Sequence, residues 1–477
     1  RTACLPSTYN NATPIAGLAT RCPASCAIGG VDDVWKIGIL LLAACTALPA
    51  QAKVDSTQAA RLGQDLTPLG AERGGNPAGT IPPWAGGVAA PAGYQPGMHH
   101  PDPYAADTVL YRVDHTNINE YSGQLSGGMK ALLERYPDYH LRVFPTRRSA
   151  SVPQRIYDAT RYNAVSAELI ANGNGIQGAA AGIPFPIPQS GIEVIWNHIL
   201  HYKGDQSHMI NNQAVVIGGR ANYIKRDRHI YYVYNREGMT HADLDNTVLY
   251  YKYRVTAPAK LSGTALVVQD PLDQVLTTRK AWRYSPDDRR VRRLPSLAYD
   301  SLQPDTSGLA TADVVDSFNG APDRYEWELL GKREMLMPYN SYAVHQKGLP
   351  YDSIVQARTL NPELLRYELH RVWVVEATLR KGFSHLYDKR RFYIDEDSWA
   401  ILAVDLYDEK GELIGLQESH PISYYDVPMF NSTLETLYHL KDGNYFVDGL
   451  DNNEPMYDFN VKLGPRDFSP QALRRGN

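Results

Sequence analysis

Beyond about residue 210, apolar and polar positions alternate with a period of two, and tyrosine and β-branched residues carry the alternation. Leu249, Tyr251, Tyr253 and Val255 fall on one face while Lys252 and Arg254 take the other, which is the pattern of a half-buried antiparallel strand. Similar runs at 229–234, 265–269, 326–336, 369–379, 390–394, 400–407 and 412–419 predict further strands, and Asp408-Glu409-Lys410-Gly411 between the last two is a hairpin signal. Both parities are apolar around 399–406, with Trp399, Ile401 and Ala403 opposite Leu402, Val404 and Leu406, so both faces of the sheet should be buried at its centre. The first half of the chain has a different period. Helical spacing at 117–136 and 155–172, and the apolar stretch Gly191–Leu200, predict three helices. Residues 53–110 are rich in Gly, Pro and Ala and predict an extended arm with little regular structure. The expected fold class is therefore α+β and β-dominated, a large curved antiparallel sheet with helices packed across its concave side. Its helical part would span 111–205 and its sheet 206–465, followed by a C-terminal tail at 466–477.

The N-terminal pattern predicts export. Lys36 precedes the apolar run 37–42, and Ala50-Gln51-Ala52 is a small-x-small cleavage site, so 34–52 reads as a signal peptide with cleavage after Ala52. The run is too short to span a bilayer, which takes ~20 apolar residues. Leu42-Ala43-Ala44-Cys45 also satisfies lipobox spacing, and on that reading an acylated Cys45 would anchor the protein at the outer membrane. Residues 1–33 differ in composition from all that follows and read as an over-extended frame, with a start at Val34.

All four cysteines (4, 22, 26 and 45) precede the expected cleavage, so the mature chain would have neither disulfides nor thiolate metal sites and must rely on its core. The remaining ~425 residues are ample for one large or two ordinary domains. A formal net charge of −4 with dispersed Lys and Arg argues against a nucleic-acid partner. No cofactor motif survives its context. Gly173-Asn174-Gly175-Ile176-Gln177-Gly178 satisfies the dinucleotide spacing but follows a helical stretch instead of a strand. His198 and His201 share a helix face without an H-E-x-x-H pattern, among residues that mark the helix as packed. Asp395-Glu396-Asp397 and Asp451-Asn452-Asn453-Glu454 do not complete calcium loops, and there is no G-x-S-x-G elbow.

The order of segments resembles the bacterial domain-of-unknown-function family 1329 (DUF1329), described as outer-membrane lipoprotein-sorting-like and grouped with the periplasmic lipoprotein carriers of the Lol type, LolA and LolB. The matching stretches include Asp65-Leu66-Thr67-Pro68-Leu69-Gly70-Ala71-Glu72, Tyr136-Pro137-Asp138-Tyr139, Phe144-Pro145-Thr146-Arg147-Arg148, Gly182-Ile183-Pro184-Phe185-Pro186 and Trp282-Arg283-Tyr284-Ser285-Pro286. The longest is Lys389-Arg390-Arg391-Phe392-Tyr393-Ile394-Asp395-Glu396-Asp397. The resemblance covers 53–465. It implies an incomplete β-barrel around an apolar cavity and a periplasmic, non-enzymatic role in moving a hydrophobic small molecule or lipid between the membranes. The implied partners are an inner-membrane transporter of the resistance-nodulation-division type and an outer-membrane β-protein.

On the carrier reading, Trp282, Tyr284, Trp373 and Trp399 face the cavity, and Arg290 and Arg292 meet an anionic headgroup or a membrane partner. The plainer reading has Arg289 and Arg290 at a solvated hairpin, Arg292 and Arg293 pairing with surface carboxylates, and the tryptophans as core. Two other functions stay open. A carbohydrate-active hydrolase would need paired carboxylates in an open polar groove, and a ligand-free periplasmic adaptor would have its sheet interior filled by side chains.

Overall fold

The computed structural model describes residues 54–474 apart from 296 and 298; the expected leader at 34–52, Cys45 and the segment 1–33 lie outside the described residues. Two antiparallel meanders make up the sheet. The first runs Gln206–Ile217, Arg220–Tyr232, Thr247–Ala257, Ala265–Pro271, Lys280–Ser285 and Arg290–Arg293. The second runs Tyr325–Pro338, Tyr367–Leu379, Lys389–Asp395, Ile401–Tyr407, Leu413–Tyr424, Met429–His439 and Tyr445–Leu450. They fuse where Tyr445–Leu450 pairs with Gln206–Ile217. Two short strands, Tyr111–Val113 and Leu141–Val143, extend the sheet to 15 strands through the parallel pair Tyr367↔Val143. The sheet is open: its order ends at Arg290–Arg293 and does not return to the second meander.

Every strand expected from alternation is present, generally longer than the pattern showed. Nine were not foreseen: the short strands Tyr111–Val113, Leu141–Val143, Glu168–Ile170 and Gly175–Gln177, and the sheet strands Gln206–Ile217, Lys280–Ser285, Arg290–Arg293, Met429–His439 and Tyr445–Leu450. Thr433, Glu435 and Asp448 place polar groups on parities where a half-buried strand would show hydrocarbon, which hid the period.

Both faces of the second meander are indeed buried, and a bulge between Tyr393 and Ile394 sorts the side chains of Ile401–Tyr407 between them. Leu402 and Ala403 join one apolar cluster with Leu132, Leu133 and Leu416; Ile401, Val404 and Leu406 join another with Val194 and Ile195. Helix Gly127–Arg135 covers the first side and helix Gly191–Leu200 the second. The two helices thus cover opposite faces of the second meander.

Two helices are shorter than their periodicity suggested. The first begins at Gly127 because Ser126 caps it, accepting from the Met129 N–H, while the Asp405 carboxylate accepts from Gly127 and Gly128 N–H at 2.8 Å each. Upstream, the side chains of Asp114 and Asn117 bond local backbone groups and hold a turn instead of a helix. Helix Gln154–Ser166 stops before the two-stranded hairpin Glu168–Ile170/Gly175–Gln177. Gly178, just past this hairpin, adopts φ +73, and a Cβ there would lie 2.1 Å from the Ser166 carbonyl oxygen. That glycine answers a steric demand.

Residues 54–110 contain one short helix, Ser56–Ala59, and otherwise turns and isolated bridges. Leu62, Leu66, Leu69, Ala71 and Ile81 are buried along the way. The C-terminal segment also packs, with Phe468 and Leu473 buried against the first meander. No helix among the described residues is long and apolar enough to cross a membrane.

Candidate functional site

Alternation aims the odd residues of Gln206–Ile217 and the even residues of Arg220–Tyr232 at one side of the first meander. There Ser207, Met209 and Asn211 meet Arg226, Arg228, Ile230 and Tyr232, and Leu249, Tyr251, Tyr253, Leu266 and Val268 continue the surface. Trp196 and Ile199 of helix Gly191–Leu200 close one wall, and Glu435 and Asp448 stand where the two meanders join. The connection 294–324 crosses over the top and contributes Leu297, Val315, Asp316 and Phe318. These walls enclose a cavity of about 190 Å³.

The crossing segment is held by side chains from the sheet and the helix. Gln213 donates to the Asp305 carbonyl at 2.7 Å and Gln417 to the Val314 carbonyl at 3.0 Å; His439 lies 2.7 Å from the Leu309 carbonyl oxygen and His198 2.8 Å from that of Asp316. Deeper in, Asp313 pairs with the fully buried Arg390 and lies 2.9 Å from His385. His198 is thus a structural tether. Burial pulls its imidazole down to about 4, so it is neutral at ordinary pH.

The cavity is apolar along its strands and charged at the seam. Asp448 pairs with Arg226 and lies 3.3 Å from Arg228, whose guanidinium also sits over Tyr251. Burial would push Asp448 up, but the charges of Arg226 and Arg228 outweigh it and hold this carboxylate below its usual range. Glu435 is the direct cross-strand partner of Asp448. Burial, reinforced by the negative charges of Asp316 and Asp448, pushes Glu435 up to about 8, so it is a neutral hydrogen-bond donor at pH 7. At the other end Arg279 forks onto Asp270, with Nη2–Oδ2 3.1 Å, and donates to the Leu297 carbonyl at 3.0 Å. The site therefore combines a hydrocarbon trough with fixed guanidinium groups and one neutral carboxylic acid.

None of the six residues singled out from the sequence lines this cavity. Trp282 and Tyr284 pair with Val267 and Ala265, the parity opposite to the cavity-lining Leu266 and Val268, and they pack on the other face. Trp373 and Trp399 stack at 6.1 Å in the second meander. Trp399 Nε1 donates to the Leu69 carbonyl at 2.9 Å and Lys332 lies over the Trp373 ring at 4.7 Å, so the pair anchors the arm. Arg290 and Arg292 lie on the edge strand, exposed; Arg292 bonds Asp288 at 2.6 Å and Arg289 turns the hairpin at φ +52. The groups at the seam have one signal in the sequence: Arg226-Asp227-Arg228-His229 carries charge on both parities of one strand. A solvated strand face does not require that pattern.

Comparison with known proteins adds the following. The family described as "Protein of unknown function (DUF1329)" matches residues 112–474. An uncharacterized protein of Pseudomonas aeruginosa, PA3922, is 42% identical over 442 residues, covering 92% of this chain and 97% of that protein. Among solved structures, a domain from Vibrio parahaemolyticus described as outer membrane lipoprotein-sorting is 16% identical, with 60% of this chain and 98% of that one covered at a TM-score of 0.41. A LolA superfamily protein from Nitrosomonas europaea is 13% identical, with 59% and 97% covered at a TM-score of 0.34.

Proposed function

This chain belongs to the DUF1329 family, and from that premise we propose that it is a periplasmic carrier that shields a hydrophobic, lipid-like molecule in the cavity of its first meander. The observation that carries this reading is the cavity itself, a trough of Met209, Ile230, Leu249, Leu266 and Val268 ending at Arg226, Arg228 and Glu435. The physical need is large: at ~0.8 kcal/mol per methylene, a chain of about fifteen carbons costs roughly 12 kcal/mol to expose to water. An amphiphile fits such walls, with hydrocarbon along the strands and its polar end at the seam. On this proposal the chain is exported by the segment 34–52, the region 111–465 acts as one carrier domain, and cargo passes between the membranes with a resistance-nodulation-division transporter and an outer-membrane β-protein as partners. Catalysis forms no part of the role.

Native mass spectrometry of protein purified without detergent, followed by organic extraction, tests the proposal. A stoichiometric apolar molecule that is lost in Ile230→Trp, which fills the trough, supports it. A clean apo protein that also ignores a panel of fluorescent lipids sinks it.

One observation favours the hydrolase reading. Glu435 and Asp448 are adjacent carboxyl groups whose surroundings drive their titrations apart, one kept protonated and the other ionised, which is the arrangement of an acid/base pair. Turnover of a chromogenic glycoside or ester that disappears in both Glu435→Gln and Asp448→Asn would move the assignment to an enzyme.

A further inference from the structure

On the face of the first meander opposite the cavity, His208 and His229 stand directly across from each other on neighbouring strands, and Asp227 shares their side two residues before His229. The imidazoles stack with centroids 4.4 Å apart and planes 15° apart. One oxygen of Asp227 lies 3.0 Å from His208 Nε2 and 3.4 Å from His229 Nδ1. The ligand atoms of all three lie within 4.8 Å of one another. In a tetrahedral site with bonds of about 2.0–2.1 Å, neighbouring ligand atoms are roughly 3.3–3.4 Å apart. The Asp227 contacts are already close to two edges of such a tetrahedron, and a small rotation of either imidazole completes the third.

From this convergence we propose that His208, Asp227 and His229 form a binding site for a divalent cation of the zinc class, with two imidazole nitrogens and one carboxylate oxygen as protein ligands. The donor set selects the class. Two nitrogens and one oxygen suit zinc and its borderline neighbours, whereas calcium and magnesium demand shells of oxygen. Strands hold the ligands, so their spacing is fixed by the sheet ladder and little ordering is needed on binding. Solvent reaches the group: the side chains are 33%, 23% and 11% exposed for His208, Asp227 and His229. Arg254, the register partner of Asp227, turns its guanidinium to the Gly263 and Leu473 carbonyls, and Lys252 is the second neighbour that opposes a cation. It is the register partner of His229, and its ammonium leans over the Phe468 ring at 5.8 Å. The site is independent of the carrier proposal, since it shares no side chain with the cavity.

The test uses untagged protein with the full chain present, stripped with a chelator, because a polyhistidine tag would bind the same metals. Zn²⁺ is titrated by calorimetry and Co²⁺ by its visible absorption. The expected result is one saturable equivalent of Zn²⁺ and an intense tetrahedral Co²⁺ band. Affinity should fall roughly tenfold or more in each of His208→Gln and His229→Gln, and rise severalfold in Lys252→Met. All three variants change side chains that reach solvent, and unchanged circular dichroism confirms that they fold. Absence of saturable binding, or binding that neither histidine variant weakens, overturns the proposal.

Discussion

Replacing Glu435 by glutamine keeps the shape of the protonated acid and removes its ability to ionise. In the folded protein this group titrates near 8 against an ordinary glutamate value of 4.5, with burial the main cause and the charges of Asp316 and Asp448 adding to it. A raised value means that the native state holds the proton more tightly than the unfolded chain does. The stabilisation is complete below about pH 4.5 and is lost as pH rises through about 8. Each pH unit across that interval is worth roughly 1.4 kcal/mol, so the full effect is on the order of 3–5 kcal/mol. Urea unfolding of both proteins between about pH 5 and pH 9 is the assay. Asp395, pushed up to about 6, and Glu418, pushed up to about 7, titrate in the same range, but both are present in both proteins and cancel in the difference. Wild type should match the variant near pH 5 and fall progressively below it towards pH 9. Parallel curves would show that Glu435 is ionised throughout, and that the seam of the cavity is far better solvated than its surroundings indicate.

Arg390→Met leaves Asp313 buried beside His385 without its guanidinium, and should cost about 3–5 kcal/mol in urea unfolding while loosening the segment over the cavity. Unchanged stability would show that the buried pair does not hold that segment. Gly449 sits at φ +107 in the bulge beside Asp448, where a Cβ would lie 2.2 Å from the Thr433 carbonyl oxygen. Gly449→Ala should therefore destabilise by roughly 1–3 kcal/mol and weaken lipid-probe binding, read by fluorescence titration. His100 of the arm is buried against Asp426 at 3.2 Å and His345 at 3.4 Å, and burial outweighs Asp426 to hold its value below the ordinary 6.5. A lowered histidine gives stability that is present above 6.5 and lost as pH falls, so residues 94–110 should exchange amide hydrogens faster at pH 5 than at pH 7 once intrinsic rates are corrected.

The sequence by itself determined the strand-forming half of the chain, because a two-residue period with β-branched and aromatic residues can bury its apolar side only in a sheet. It determined the double burial at Ile401–Tyr407, where hydrocarbon occupies both parities, and the hairpin at 408–411. It also marked His198 as part of a packed helix face. Periodicity misplaced helix ends, since caps such as Ser126 and Asp405 depend on a partner 279 residues away. The location of the cavity was decided only by tertiary structure. Which parity of Arg220–Tyr232 faces inward depends on its register with Gln206–Ile217 and on the segment that crosses above, and neither is written in local sequence. The same register put Trp282 and Tyr284 on the far side and brought Glu435 beside Asp448. It also set His208 across from His229. An aromatic residue announces burial in sequence, but only strand pairing across the folded chain decides which buried or charged side chains meet.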